Sequence, residues 1–165
     1  MYQVRQRTQE SIPGGAWRSA RVGQRGEQTA AAYLEGRGYR VLARNWRSGD
    51  PAQRGELDLI LRHRSVLVVC EVKTRTGGRL AHPAEAVTAE KLGRLRRLAG
   101  LWLREQAHTA PRRGPGRVPG LGLLLPARRP RPFLPAELRI DVVAVRLGPR
   151  EPFPVLAIDH LAGVA

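Results

Sequence analysis

The chain has 165 residues, 42% of them hydrophobic, with 29 basic against 14 acidic residues, a formal charge of +15 and an isoelectric point near 11.6. That length fits one domain with a real core, and the charge favours a polyanionic partner, nucleic acid first, although 27 of the basic residues are Arg, a bias that genomic composition also produces. A single cysteine excludes an internal disulfide framework and points to a reducing, cytoplasmic setting; no run approaches the ~18 apolar residues of a membrane span, so no membrane partner is expected.

Residues 1–20 lack the apolar middle region of a secretory signal and read as a disordered basic tail ahead of a domain at 21–165. A helix is expected over about 23–37, where Ala30, Ala31 and Leu34 form an apolar stripe and Gly36 and Gly38 stop it. "YRVLARNWR" reads as a strand and "SGDPAQRG" as a polar turn. "ELDLILR" and "VLVVCEVK" follow, hinged at His63 to Ser65. Their near-continuous Leu, Ile and Val content marks central strands buried on both faces. Pro83 opens the longest expected helix, reaching to about Glu105, with Val87, Leu95, Leu98 and Trp102 on one face. Residues 107–135 hold seven of the thirteen prolines and no acidic residue, the composition of a disordered Pro/Arg-rich insertion. "ELRIDVVAVRL" is a clear strand and "FPVLAIDHL" a shorter one. The pattern is a single α/β domain with a central sheet.

The stretch "RGELDLILRHRSVLVVCEVKTR" sets Glu56 and Asp58 at the start of one buried strand and Glu71 and Lys73 at the end of the next. If the hairpin turns through Arg64 and Ser65, Asp58 lies opposite Glu71 and Glu56 opposite Lys73, all on one face by the period of two. Two carboxylates that close repel, and one pKa rises unless a neighbour neutralises them. A divalent cation does so, and hard oxygen ligands suit Mg²⁺ or Mn²⁺. Lys73 is one of only two lysines. A guanidinium never deprotonates, whereas an ammonium can polarise a water or exchange a proton. The bland alternative for Glu71 and Lys73 is a strand-end ion pair. Glu27 falls on the buried stripe of the first helix, either as a third carboxylate or as a first-turn acid favoured by the helix dipole.

These motifs resemble a known family. "GQRGEQTAAAYLEGRGYRVLARNWR", "GELDLI", "EVKTR", "PAEAVTAEK" and "RIDVVAV" are similar to the YraN-like family of predicted endonucleases. That family is placed in the PD-(D/E)xK nuclease superfamily and is similar to archaeal Holliday junction resolvases. The resemblance covers residues 21 to 105 and 137 to 162. It implies a restriction-endonuclease-like fold, a central mixed β-sheet flanked by helices, and a Mg-dependent endonuclease acting on DNA, with branched DNA among its substrates. By position, Asp58, Glu71 and Lys73 match the D…(D/E)xK core, and Glu27 matches the first-helix glutamate of the resolvase-like branch. Resolvase-like relatives also imply, by analogy alone, a homodimer.

In this reading Asp58, Glu71 and Glu27 bind the metal, Lys73 orients water, and Glu56 either stands behind the ligands or pairs with Lys73. Arg75 contacts phosphate. Lys91, on the apolar face of the long helix, reaches a phosphate or snorkels. Arg94 and Arg97, with Arg96 and Arg104, form a solvated or backbone-binding surface. Arg139 and Asp141 alternate on one strand face and form a structural pair, while Cys70 is a small core residue. The rival reading is a non-catalytic nucleic-acid-binding protein on a degenerate nuclease fold.

Overall fold

A computed structural model of the chain describes residues 14–77, 88–109 and 133–164. Its elements are helix α1 (Gly14–Glu35), strands β1 (Arg40–Arg47), β2 (Glu56–His63) and β3 (Val66–Thr76), helix α2 (Ala89–Thr109), and strands β4 (Glu137–Leu147) and β5 (Val155–Leu161). The strands form one sheet in the order β1-β2-β3-β4-β5. Neighbours are antiparallel except β3 and β4, which run parallel from Val66↔Glu137 to Thr76↔Leu147. A parallel pair requires a crossover, and α2 lies within it. The expected mixed sheet flanked by helices is present.

The helices cover opposite faces of that sheet. Ala30, Ala31 and Leu34 of α1 pack with Leu59, Leu61, Val68, Cys70 and Val143. Leu95, Leu98, Ala99 and Trp102 of α2 pack with Ile60, Leu67, Val69 and Ile140. Successive strand residues therefore serve different helices, which is why these strands read as unbroken apolar runs. Burying a leucine such as Leu34 or Leu98 contributes about 1.5–3 kcal/mol. β2 and β3 join through Arg64 and Ser65 with His63 opposite Val66, as the spacing predicts. Arg64 has φ +57, the left-handed backbone that a two-residue hairpin turn demands.

Two boundaries differ from the sequence expectation. α1 begins at Gly14, so residues 14–20 belong to a helix and not to a disordered tail. Gly15 to Arg21 are all exposed and offer no apolar stripe to read. This part of the helix is tied from outside, by Arg18 on the Pro149 carbonyl at 2.6 Å and Arg21 on Glu151 at 2.8 Å. α2 begins at Ala89 and not at Pro83, because Thr88 caps it: its hydroxyl accepts the Lys91 N–H at 3.2 Å. The helix runs to Thr109, into the expected insertion. The rest of that insertion up to residue 132 lies outside the described residues, as do 1–13, Pro83 and Val87. Phe133 packs on the α2-side core beneath the Arg62 guanidinium, 4.6 Å from the ring centroid.

Side-chain alternation along β2 breaks once, at Asp58. Leu59 and Leu61 join the α1-side core, but Leu57 joins Ile60 on the α2 side. Alongside, Asn45 of β1 sits between the pairs Arg44↔Leu59 and Trp46↔Leu57 with φ +50. The β2–β3 ladder stops at Leu59↔Cys70. β1 and β2 stay paired on to Arg47↔Glu56, and β3 and β4 to Thr76↔Leu147. The sheet forks there, and the charges singled out in the sequence lie at the fork.

Candidate active site at the fork of the sheet

Asp58 stands at the mouth of the fork. Its Oδ2 accepts the Val72 N–H at 2.8 Å, a side chain doing what a strand carbonyl does in a continued ladder. Glu71 on β3 is only 7% exposed, a state that glutamate rarely adopts unpaired. Lys73, two residues further along β3, donates to Glu71 Oε1 at 2.6 Å. Lys91 comes from α2 and donates to the same oxygen, also at 2.6 Å. Of 29 basic residues in the chain, the only two lysines converge on one carboxylate oxygen.

The two carboxyls are driven in opposite directions. Asp58 is pushed up to about 6, first by burial and then by the Glu71 charge; Glu27 adds to the effect, while the Val72 N–H and Lys73 oppose it. Burial also disfavours the Glu71 carboxylate, but the hydrogen bonds and charges of Lys73 and Lys91 outweigh it and hold Glu71 below its ordinary value. Burial and the neighbouring Lys73 ammonium lower Lys91 against the pull of Glu71. Burial works on Lys73 in the same sense, but Glu71 and Asp58 prevail and raise it.

Glycines let both helices reach this point. A Cβ on Gly26 would come 1.8 Å from Thr74 Oγ1 and 2.7 Å from Thr74 Cβ, so only glycine lets α1 lie this close to β3. The approach sets Glu27, partly buried, within electrostatic reach of Asp58. On the other side, Gly55 has φ +143, and a Cβ there would meet Leu98 at 2.8 Å and Arg94 at 3.4 Å. α2 can therefore settle beside the start of β2.

Glu56 does not join the cluster. Its Oε2 accepts from Arg47 of β1 at 2.6 and 3.0 Å. The pairing of Glu56 with Lys73 assumed an unbroken ladder and one common face, and the fork at Asp58 removes both. Arg75, Arg94 and Arg97 are exposed, as the phosphate-contact reading requires. Gln53, Arg96, Arg97, Gly100 and Arg104 line an open groove along α2.

The model of the protein family described as "Uncharacterised protein family UPF0102" matches residues 26–145. The chain belongs to this family. It is 50% identical to a UPF0102 protein of Streptomyces coelicolor over 117 residues, 70% of this chain and 86% of the relative. A UPF0102 protein of Mycolicibacterium vanbaalenii is 43% identical over 146 residues, 88% of this chain and 94% of the relative. One from Clavibacter michiganensis is 50% identical over 105 residues, 64% and 83% of the two chains. The segments that carry the YraN-like family resemblance overlap this match, and every site residue named above lies within it.

The donor set of this UPF0102 protein suits a divalent cation in donor type. Asp58 and Glu71 offer hard oxygens, and the Asp58 carboxyl is raised by burial and by the Glu71 charge, both of which a cation would offset. As the side chains stand, no three Asp, Glu, His or Cys groups among the described residues converge on one point. The lysines occupy Glu71 instead.

A second charged cluster was only half legible in the sequence. Arg139 pairs with the fully buried Asp141 through two bonds of 2.8 Å, as their alternation suggested. Asp141 also meets His160 Nε2 at 3.0 Å and accepts the Gly163 N–H at 3.0 Å, and Arg139 donates to the Tyr39 hydroxyl at 2.7 Å. Nothing in the spacing of residues 141, 160 and 163 announces this. Burial disfavours the Asp141 charge, yet these donors outweigh it and hold the carboxyl below its ordinary value. The cluster anchors the C-terminal strand to β4. Cys70 is buried, and burial pushes its thiol up, so it behaves as an inert core residue.

Proposed function

We propose that this UPF0102 protein is a metal-dependent endonuclease acting on DNA, on a restriction-endonuclease-like fold. The observation that carries the reading is the juxtaposition of Asp58, Glu71 and Lys73 at the fork, with the Asp58 carboxyl raised by burial and by the Glu71 charge. The charge of +15 supports a nucleic-acid partner, and the resemblance to resolvases supports branched DNA and a homodimer.

Asp58, Glu71 and Glu27 would hold Mg²⁺ or Mn²⁺. When bound, such an ion activates water and neutralises charge on a scissile phosphate. Lys73 orients the attacking water and offsets charge that builds up on the phosphate in the transition state. Arg75, Arg94 and Arg97 contact the backbone and set its position, without reading sequence.

One observation favours the rival reading, a nucleic-acid-binding protein without catalysis: Glu71 is already neutralised by two lysines. Purified protein incubated with branched, flapped and linear DNA in Mg²⁺, Mn²⁺ or EDTA decides between them. Cleavage with either metal, lost in EDTA and in Asp58→Asn, supports the nuclease. Binding without cleavage under every condition supports the rival.

A further inference from the structure

The protein uses two kinds of buried ion pair. Arg139 grips Asp141 with a two-pronged guanidinium, Nε on Oδ1 and Nη2 on Oδ2, each at 2.8 Å. Such a fork matches the two oxygens of a carboxylate and makes a lasting clamp. Glu71 is held differently. Two ammonium groups share one of its oxygens, each at 2.6 Å, so each is a point contact with donors to spare, and the like charges lie no more than two hydrogen-bond lengths apart. A chain that uses arginine at 27 of its 29 basic positions has kept lysine at these two.

The two lysines are not equivalent. Lys73 sits on the same strand as Glu71, whereas Lys91 arrives from α2. The Lys91 side chain is 19% exposed, so it is shielded without being sealed off. One turn further along α2, Arg94 lies exposed against Gly55, and the arginine-lined groove follows. Lys91 therefore stands where the basic surface of α2 meets the carboxylates. A cation taken up by Asp58 and Glu71 would draw Glu71 off its lysines. Two unpaired ammonium groups beside that cation make a site that attracts a phosphodiester.

We propose that Lys91 is an exchangeable holder: it secures Glu71 in the metal-free protein and takes a nucleic-acid phosphate once Glu71 turns to a cation. This rests on the nuclease reading and adds to it a second lysine with a metal-gated role. The gating requires an ammonium. A guanidinium at residue 91 would lock onto both oxygens of Glu71, as Arg139 does on Asp141, and would resist the exchange.

The test measures binding, not cleavage. A short fluorescent duplex is titrated against full-length wild type and Lys91→Met, in Ca²⁺ (in place of Mg²⁺) and in EDTA, over a range of salt concentrations. Wild type should bind more tightly in Ca²⁺ than in EDTA. Lys91→Met should match wild type in EDTA, lose several-fold in affinity in Ca²⁺, and there show a salt slope smaller by about 0.9, the signature of one lost phosphate contact. Equal loss in both conditions would make Lys91 an ordinary backbone contact and overturn the proposal. No loss in Ca²⁺ would overturn it too, with the metal reading left standing. If wild type binds equally in Ca²⁺ and EDTA, the metal reading itself fails and the proposal with it. A second measurement covers a variant that folds poorly: calorimetric Mn²⁺ titration of Lys91→Arg should show cation affinity several-fold weaker than wild type. Unchanged Mn²⁺ affinity there counts against exchange at Glu71.

Discussion

Asp58 and Glu71 meet at the end of one hairpin ladder, yet the protein holds their carboxyls in opposite states: Asp58 is pushed up to about 6 and Glu71 is held down. The asymmetry comes from the lysines, both of which serve Glu71. Asp58 has a backbone N–H and the more distant charge of Lys73 to offset its burial and its neighbour's charge, and these fall short. The two positions should therefore respond differently to loss of charge.

For Asp58 the sign follows from its raised value. The folded protein takes up the Asp58 proton at higher pH than the unfolded chain, whose ordinary value is 3.8. The stability this contributes is fully present below about pH 4 and is lost as pH rises through about 6. Asp58→Asn keeps an acceptor for Val72 and removes the charge. In EDTA it should raise stability by about 1–3 kcal/mol at pH 7–8 and change little near pH 4. Urea denaturation at the two pH values measures this, and a loss of stability at pH 7–8 would contradict it.

Glu71→Gln should do the reverse. It leaves two partly buried ammonium groups sharing one neutral amide, at a cost of about 1–3 kcal/mol. Adding Lys91→Met should restore part of the loss, which a double-mutant cycle by urea denaturation would quantify. Additive losses would mean that Lys91 and Glu71 are not coupled.

Gly26 sets the distance between α1 and β3. Gly26→Ala forces a methyl group against Thr74 and should cost about 1–3 kcal/mol as overpacking. Thr74→Ala should recover only part of this, because the Thr74 Cβ itself lies 2.7 Å from the added atom. Thermal melts of the single and double variants check the ordering.

The strands and the hairpin register were legible because a buried two-faced strand and a two-residue turn leave few arrangements. Asp58 and Glu71 came together on that basis alone. Lys91 on Glu71 was not legible: the contact spans 20 positions and a crossover, and period counting put Lys91 only on the apolar face of its helix. The partner of Glu56 is hidden because the β2–β3 hairpin spacing addresses one neighbouring strand, while Arg47 on the other pairs with it. The early start of α1 was missed because its first turns bury nothing. Thr88 is hard to recognise as a cap from the sequence, because Pro83 offers a more obvious start.

Asp141 belongs to the frame. Asp141→Asn leaves Arg139 without its counter-charge and weakens the tie to Gly163. A loss of about 3–5 kcal/mol is expected by urea denaturation at pH 7. The Asp141 carboxyl is held below its ordinary 3.8, so its contribution is present above about pH 4 and lost as pH falls through the folded value. The gap between variant and wild type should narrow as pH falls below about 4; a gap that stays constant in acid would place the cost elsewhere.

Under the nuclease reading, Lys73→Arg keeps the charge and removes an ammonium from the water-orienting position. Cleavage should fall by about 10²-fold or more, with duplex affinity in EDTA nearly unchanged. Full cleavage by Lys73→Arg would remove Lys73 from the chemistry.

The convergence of both lysines on Glu71 also makes the protein its own reporter. Apart from the chain's amino terminus, an amine-selective reagent has only Lys73 and Lys91 to label. Reductive methylation with isotope-enriched formaldehyde would give two side-chain resonances, both from groups touching one oxygen atom. Their chemical shifts would follow metal and nucleic acid entering the fork directly, in a spectrum with no other lysine signal to subtract.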